Sequence, residues 1–141
     1  MKFWDASALV PLLIEQPSRE RLLLLLEDDP AVAAWWGTPV ECTSAIARCE
    51  REGLLSMRDA TLAAERLHAL ARTWLEITPS PALRDTAQRL LRVHPLRAAD
   101  SLQLAAAIVA ADADPRSLPF VCLDERLAEA ASREGFPTIP S

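Results

Sequence analysis

The sequence is poor in glycine, histidine and cysteine, and it contains no long apolar run. Its 3 glycines stand against 11 prolines, a balance that argues against a flexible or low-complexity chain. Apolar runs such as Ala8–Ile14 and Leu22–Leu26 fall far short of the roughly 20 residues that a membrane-spanning helix needs. Because Asp5 interrupts the start of the apolar region, the sequence does not resemble a signal peptide either, and we expect a cytoplasmic protein.

The few cysteines and histidines indicate neither a disulfide framework nor a zinc site. Three cysteines and two histidines occur, and no CxxC motif is present. Cys42 and Cys49 lie seven residues apart on a predicted helix, about 10 Å along its axis, which is too far for a disulfide bond. We therefore interpret the cysteines as small core residues. The GxGxxG, Walker and GxSxG motifs are also missing, so acidic residues are the main candidates for chemistry.

The charge balance does not decide whether the partner is a nucleic acid. The formal net charge is −5, which by itself counts against a polyanionic partner. All but one of the 15 basic residues are arginine, the side chain best suited to bidentate contacts with phosphate. A GC-rich coding sequence would produce the same excess of arginine, so both interpretations stay open.

Short apolar segments alternate with amphipathic segments along the chain. The apolar runs predict strands at Lys2–Asp5, Ala31–Trp36, Leu75–Thr78, Phe120–Leu123 and Pro137–Ile139. The amphipathic segments predict helices at Ser7–Glu15, Ser18–Asp28, Thr38–Glu52, Ser56–Trp74, Ala82–Val93, Arg97–Ala111 and Asp124–Glu134. Strands that alternate with helices imply a parallel sheet covered on both faces. Because no repeat or linker interrupts the pattern, we expect one α/β domain over residues 1–141.

Two of the predicted helices carry clear start signals. Thr38 is predicted to be an N-cap, with Pro39 at the first helical position and Glu41 completing a capping box. Ser56 and Asp59 repeat the arrangement at the start of the next helix. A purely structural role would therefore be sufficient to explain Glu41.

Four acidic residues stand at related places in this scheme. Asp5 and Asp124 each end a predicted strand, Glu41 lies in the first turn of a helix that follows a strand, and Asp100 lies near the start of an Ala-rich helix. In an open parallel sheet, strand ends and helix starts share one edge, where such folds bind ligands. We therefore expect the four carboxylates to converge, although a helix cap or a helix dipole explains each of them singly.

Converging carboxylates require a cation, because like charges a few ångströms apart raise one another's pKa. A set of oxygen ligands suits Mg²⁺ or Mn²⁺ rather than zinc. Mg²⁺ keeps several waters and takes only one or two carboxylates directly, so the remaining acids would act through water. Such a site can activate a water for attack on phosphorus and can neutralise phosphate charge, which would reconcile the negative net charge with a polyanionic substrate.

Four sequence blocks resemble the PIN-domain family, and within it the VapC-type toxins of toxin–antitoxin modules. The blocks are FWDASAL around Asp5, the Val40-Glu41 pair, LRAADSLQLA around Asp100, and FVCLDERL around Asp124. Their order, spacing and flanking residues agree with the family over nearly the whole chain. The resemblance implies a three-layer α/β/α PIN-like domain with a short central parallel sheet.

The resemblance also implies a site and an activity. The family's four acids fall on Asp5, Glu41, Asp100 and Asp124, which become the expected catalytic residues. Asp5, Asp100 and Asp124 are the expected ligands of Mg²⁺ or Mn²⁺, and Glu41 is the expected outer ligand or general base. The implied activity is metal-dependent endoribonuclease cleavage of single-stranded RNA. The implied partners are a separately encoded VapB-type antitoxin that blocks the site and a second copy of the chain in a homodimer.

One residue departs from the family pattern, and two other functions compete with the nuclease. The family often has Thr or Ser two residues before the fourth acid, where this chain has Cys122, so a hydroxyl that could orient a carboxylate or water is lost. A phosphatase with an aspartate nucleophile also begins with a strand that ends in Asp, but it usually needs a second Asp where Ser7 stands. The stronger alternative is a non-catalytic PIN-like module that binds RNA or an antitoxin.

Overall fold

Five short strands form one parallel sheet. The computed structural model describes residues 1–140. The strands are β1 Lys2–Trp4, β2 Val32–Trp35, β3 Leu75–Ile77, β4 Phe120–Val121 and β5 Thr138–Ile139. They lie in the order β3-β2-β1-β4-β5, and every neighbouring pair is parallel. The predicted short parallel sheet is therefore confirmed, with β1 at its centre and the last strand at an edge.

Seven helices cover the sheet on both faces. They are α1 Ala6–Leu13, α2 Arg19–Asp28, α3 Thr38–Arg51, α4 Met57–Ala71, α5 Pro81–Val93, α6 Ala98–Ala111 and α7 Glu125–Arg133. Buried residues of the first four helices pack in one core, and those of the last three pack in the other. In β1, Phe3 belongs to one core and Trp4 to the other, because successive side chains of a strand point to opposite faces. The three-layer α/β/α architecture predicted from the sequence is confirmed.

Helix α6 brings its first turn to the carboxyl edge of the sheet from within the protein core. Its residues from Leu104 to Ala107 are fully buried, which agrees with the helix predicted at Arg97–Ala111. Small alanine side chains let the helix approach the sheet closely, and α6 contacts β2, β3 and α5. The position of Asp100 is consequently fixed by the packing of the whole helix.

The predicted capping box at the start of α3 is wrong. Gly37 is the N-cap, so no side chain caps the helix, whereas Thr38 lies inside the helix and is fully buried. A Cβ atom on Gly37 would lie 2.5 Å from Nε1 of Trp35, so the buried indole leaves room only for glycine there. The side chains of Thr38 and Glu41 instead turn towards the interior of the protein and meet α6. The second predicted cap is confirmed, because Ser56 Oγ accepts a hydrogen bond from the backbone N–H of Asp59.

No helix within residues 1–140 combines the length and the apolar composition that crossing a bilayer requires. The three cysteines are free, with Cys42 and Cys122 buried and Cys49 half-buried. Two of the three cysteines therefore occupy the core positions that the sequence predicted.

Candidate active site

Asp5 follows β1 directly and caps α1. Its Oδ2 accepts hydrogen bonds from the backbone N–H of Ser7 at 3.0 Å and from Ser7 Oγ at 2.6 Å. Only 4% of the Asp5 surface is exposed, and this burial raises the pKa of the carboxyl group above its ordinary value. The bonds from Ser7 act in the opposite direction, and the charge of Asp100 raises the pKa further.

Ser7 connects Asp5 to the chain that follows β4. Its Oγ donates to Asp5 and accepts a hydrogen bond from the backbone N–H of Leu123 at 2.9 Å. Ser7 therefore donates a hydrogen bond to a carboxylate of the site. The Asp5 carboxylate is held by a hydroxyl that is itself anchored to the segment between β4 and the fourth acid.

Cys122 lies beside the hydrogen bond between Ser7 and Asp5. Its Sγ is 3.7 Å from Asp5 Oδ2, 3.7 Å from Ser7 Oγ and 3.3 Å from the backbone oxygen of Asp124. Burial raises the pKa of the Cys122 thiol above its ordinary value, and the charge of Asp5 adds to the effect. Cys122 is therefore a neutral, buried thiol that fills space beside two of the acids.

Asp124 caps α7. Its Oδ1 accepts hydrogen bonds from the backbone N–H groups of Arg126 at 3.0 Å and Leu127 at 3.1 Å. These two bonds fix the carboxylate at the positive end of the helix dipole. The structural role proposed for Asp124 from the sequence is thus confirmed, and it orients the half-buried carboxylate at the edge of the sheet.

Asp100 lies in the first turn of α6 and is half-buried. Burial raises its pKa, and the charge of Asp124 raises it further. The backbone of Arg97 and the charges of Arg97 and Arg126 lower it in turn. Because Asp100 also acts on the pKa values of Asp5 and Glu41, it is the acid that links the whole group.

Glu41 approaches the group from α3. Its Oε2 accepts a hydrogen bond of 2.7 Å from Nε2 of Gln103. Burial raises the pKa of Glu41 to about 7, against the effect of the Gln103 bond, and the charges of Asp5 and Asp100 contribute. Glu41 is therefore a carboxyl group that can exchange a proton near neutral pH.

The structure brings together the four acids that the sequence singled out. In addition to burial, the charge of Asp124 raises the pKa of Asp100, and the charge of Asp100 raises the pKa values of Asp5 and Glu41. The charge of Asp5 also raises the pKa of Glu41. The four acids come from three separate helix starts and the end of the central strand, all at the carboxyl edge of the sheet, as expected for an open parallel sheet. Their roles in catalysis and metal binding stay predictions.

The chemistry of these donors fits a hard divalent cation. Within residues 1–140, no three side chains of His, Cys, Asp or Glu stand close enough together to form a ready-made metal cage. Mg²⁺ does not require such a cage, because it keeps several waters and takes one or two carboxylates directly. Burial, and then the charge of a neighbouring acid, raise the pKa values of Asp5 and Asp100, and a cation would stabilise the ionised form of both groups.

Gln103 is a further residue of the site that the sequence interpretation did not single out. It is fully buried, and its Nε2 donates to Thr38 Oγ1 at 3.0 Å as well as to Glu41. A signal for it exists in the sequence, because Gln103 is a polar residue within an otherwise apolar helical stretch, three positions after Asp100.

Solved structures share this fold. VapC20 from Mycobacterium tuberculosis, a sarcin–ricin loop cleaving toxin, superposes with a TM-score of 0.68 at 17% sequence identity over 96% of each chain. FitAcB from Neisseria gonorrhoeae gives a TM-score of 0.65 at 20% identity, over 98% of this chain and 96% of its own. A toxin–antitoxin complex from Klebsiella pneumoniae gives 0.64 at 16% identity over 91% of each chain. No protein-family model and no curated protein sequence matches the chain. At these identities the likeness establishes the fold, and the expected PIN-like fold is confirmed.

Proposed function

We propose that this chain is a divalent-metal-dependent endoribonuclease and the toxin of a toxin–antitoxin pair. The observation that carries the proposal is the group of Asp5, Glu41, Asp100 and Asp124 at the edge of the sheet where such folds bind ligands. Burial, and then the charges of neighbouring acids, raise the pKa values of Asp5, Glu41 and Asp100. The fold supports it, since VapC20 is a sarcin–ricin loop cleaving toxin and the Klebsiella pneumoniae neighbour is a toxin–antitoxin complex.

Asp5, Asp100 and Asp124 would hold the cation, Mg²⁺ or Mn²⁺. When bound, the cation supplies a more acidic water and positive charge for the phosphate oxygens. The chain contributes rigid ligands, because Ser7 fixes Asp5 and the first turn of α7 fixes Asp124. Little side-chain freedom would be lost on binding.

Glu41 would serve as the general base. A group whose pKa is about 7 is part ionised at neutral pH, so it can accept a proton from water and release it again. Arg97 and Arg126 lie close enough to Asp100 that their charges lower its pKa. These two exposed cations could receive the phosphates that flank the cleaved bond.

The acidic edge also suggests the partners. A separately encoded antitoxin of the VapB type would block it with a basic side chain, which would replace the cation electrostatically. A homodimer of the toxin belongs to the same proposal. Co-purification from cells that express the neighbouring reading frame would test the antitoxin, and light scattering would test the dimer.

A cleavage assay tests the function. We expect wild-type protein to cut a panel of single-stranded RNAs with Mn²⁺ or Mg²⁺ and to stop when EDTA is added. Asp100→Asn should lower the rate by at least about 100-fold, because it removes a charge that stabilises the transition state through the cation. Asp85→Asn is the matched control, since Asp85 is an exposed acid on α5 outside the site.

Two outcomes would contradict the proposal. RNA cleavage that persists unchanged in Asp100→Asn would refute the assignment of Asp100 to the active site. Cleavage that continues in the presence of EDTA would refute the proposed dependence on a divalent metal. RNA binding without cutting under every condition would favour the non-catalytic module instead. Wild-type protein should also gain thermal stability on addition of Mn²⁺, and Asp100→Asn should gain less.

A further inference from the structure

A single buried amide joins two helices that belong to opposite layers of the fold. Gln103 on α6 is fully buried, and its Nε2 donates hydrogen bonds to Glu41 Oε2 at 2.7 Å and to Thr38 Oγ1 at 3.0 Å, both on α3. Buried residues of α3 pack in one core, and those of α6 pack in the other. The two layers therefore meet through this amide where the sheet ends.

The spacing of the residues places the amide beside the acids on both helices. Gln103 stands three positions after Asp100, and Glu41 stands three positions after Thr38, so each pair lies on one face of its helix. The amide thus connects the helix that supplies Asp100 with the helix that supplies Glu41. A displacement of either helix would change the distance between the two carboxylates.

The orientation of the amide is determined by Glu41. Gln103 Oε1 is buried and has no hydrogen-bond partner among the described residues. A buried acceptor without a donor is unfavourable, and a reversed amide would place this oxygen against the Glu41 carboxylate, which would repel it. The amide therefore keeps both N–H groups on α3 and leaves its oxygen unpaired.

We propose that Gln103 is a positioning residue that holds the Glu41 carboxylate in the orientation needed for RNA cleavage. The inference rests on the proposed nuclease function, in which Glu41 handles the proton. A neutral amide suits the task, because a lysine or arginine at this place would neutralise Glu41 and compete with a cation for the site. Gln103 acts through Glu41 and contacts neither the substrate nor the reacting atoms.

A double-mutant cycle tests this role. We expect Gln103→Leu to lower kcat by about tenfold or more, as for loss of a hydrogen bond to a charged group, with KM nearly unchanged. In a Glu41→Gln background, Gln103→Leu should have no further effect, because its target is already removed. Ser101→Ala is the matched control, since Ser101 is a buried polar residue of α6 whose Oγ bonds only to its own helix, at Ala98 O.

A second measurement does not depend on activity. Carbon-13 NMR of metal-free protein can follow the titration of the Glu41 carboxyl group. The Gln103 bond lowers the pKa of Glu41, so Gln103→Leu should raise the midpoint and Ser101→Ala should not. If wild-type protein cuts no RNA, the proposed function fails, and this titration still decides whether Gln103 holds Glu41.

Each outcome has a defined meaning. An equal loss of kcat from Gln103→Leu in both backgrounds, or an unchanged midpoint, would overturn the proposal and leave Gln103 as a packing residue. If Gln103→Leu does not fold, Gln103→Met offers a more flexible apolar side chain of similar volume for the same measurements.

Discussion

Replacing Glu41 by glutamine is expected to stabilise the protein at alkaline pH while it slows RNA cleavage by about 100-fold or more. The pKa of Glu41 is raised from 4.5 to about 7, so the folded state holds this proton more tightly than the unfolded chain does. Wild-type protein must therefore lose stability as the pH rises from about 4.5 to about 7, where Glu41 ionises in the fold. Glutamine carries no charge and can still accept the hydrogen bond from Gln103, so the variant escapes this loss.

The size of the effect follows from the raised pKa of Glu41. At face value, the difference between 4.5 and about 7 corresponds to about 3 kcal/mol above pH 7. Glu41 is only partly buried, and solvent screens part of the repulsion, so we expect about 1–2 kcal/mol. Loss of the general base should at the same time lower the cleavage rate by about 100-fold or more.

Urea unfolding of metal-free protein at pH 4, 6 and 8 measures the stability difference between wild type and Glu41→Gln. The two proteins should be equally stable at pH 4, and the variant should be the more stable one at pH 8. Glu50→Gln is the control, because Glu50 is an exposed acid on the same helix. A variant that is no more stable than wild type at pH 8, or equally stabilised at pH 4, would refute the raised pKa of Glu41 in the folded protein.

Two further substitutions probe the supports of the site. Ser7→Ala should destabilise the protein by about 2–4 kcal/mol in urea unfolding at pH 7, because Asp5 loses its 2.6 Å bond and the N–H of Leu123 loses its acceptor. Because the Ser7 bonds lower the pKa of Asp5, the cost should shrink as the pH falls and the carboxyl group takes up a proton, and a cost independent of pH would contradict this explanation. Gly37→Ala should lower the free energy of unfolding by about 1–3 kcal/mol, since the new Cβ would lie 2.5 Å from Nε1 of Trp35. The urea midpoint should fall accordingly. An unchanged midpoint would show that the indole can move aside.

The order of strands and helices could be predicted because burial on both faces leaves a strong pattern in the sequence. The central strand reads as an apolar run that ends in Asp5, since parallel strands covered on both sides have few polar positions. The ends of elements were less accurate. Helix α4 ends at Ala71 rather than at the predicted Trp74, because buried Trp74 packs in the core from the turn that precedes β3. An apolar residue marks burial, and burial alone does not define a helix.

The start of α3 shows why local patterns can mislead. The spacing of Thr38 and Glu41 satisfies a capping box, and the same spacing also places both side chains on one helix face. Which arrangement forms depends on Gln103, more than sixty residues later in the chain. The local sequence contains no information about that distant partner, so it indicated Glu41 as a candidate site residue but predicted the wrong local contact for it.

The contacts of Cys122 indicate that a hydroxyl at this position is not needed to orient the acids of the site. Cys122 stands where the resemblance leads us to expect a Thr or Ser, so a hydroxyl beside the fourth acid is missing. The thiol lies 3.7 Å from the carboxylate of Asp5, whereas Asp124 already binds two backbone N–H groups of α7. Ser7 donates the short hydroxyl bond at this place, to the same Asp5 oxygen that the thiol approaches. Because Asp5 and Asp124 are each fixed by donors other than residue 122, the site has the orienting bonds that it needs, and Cys122 serves mainly to fill the space between them.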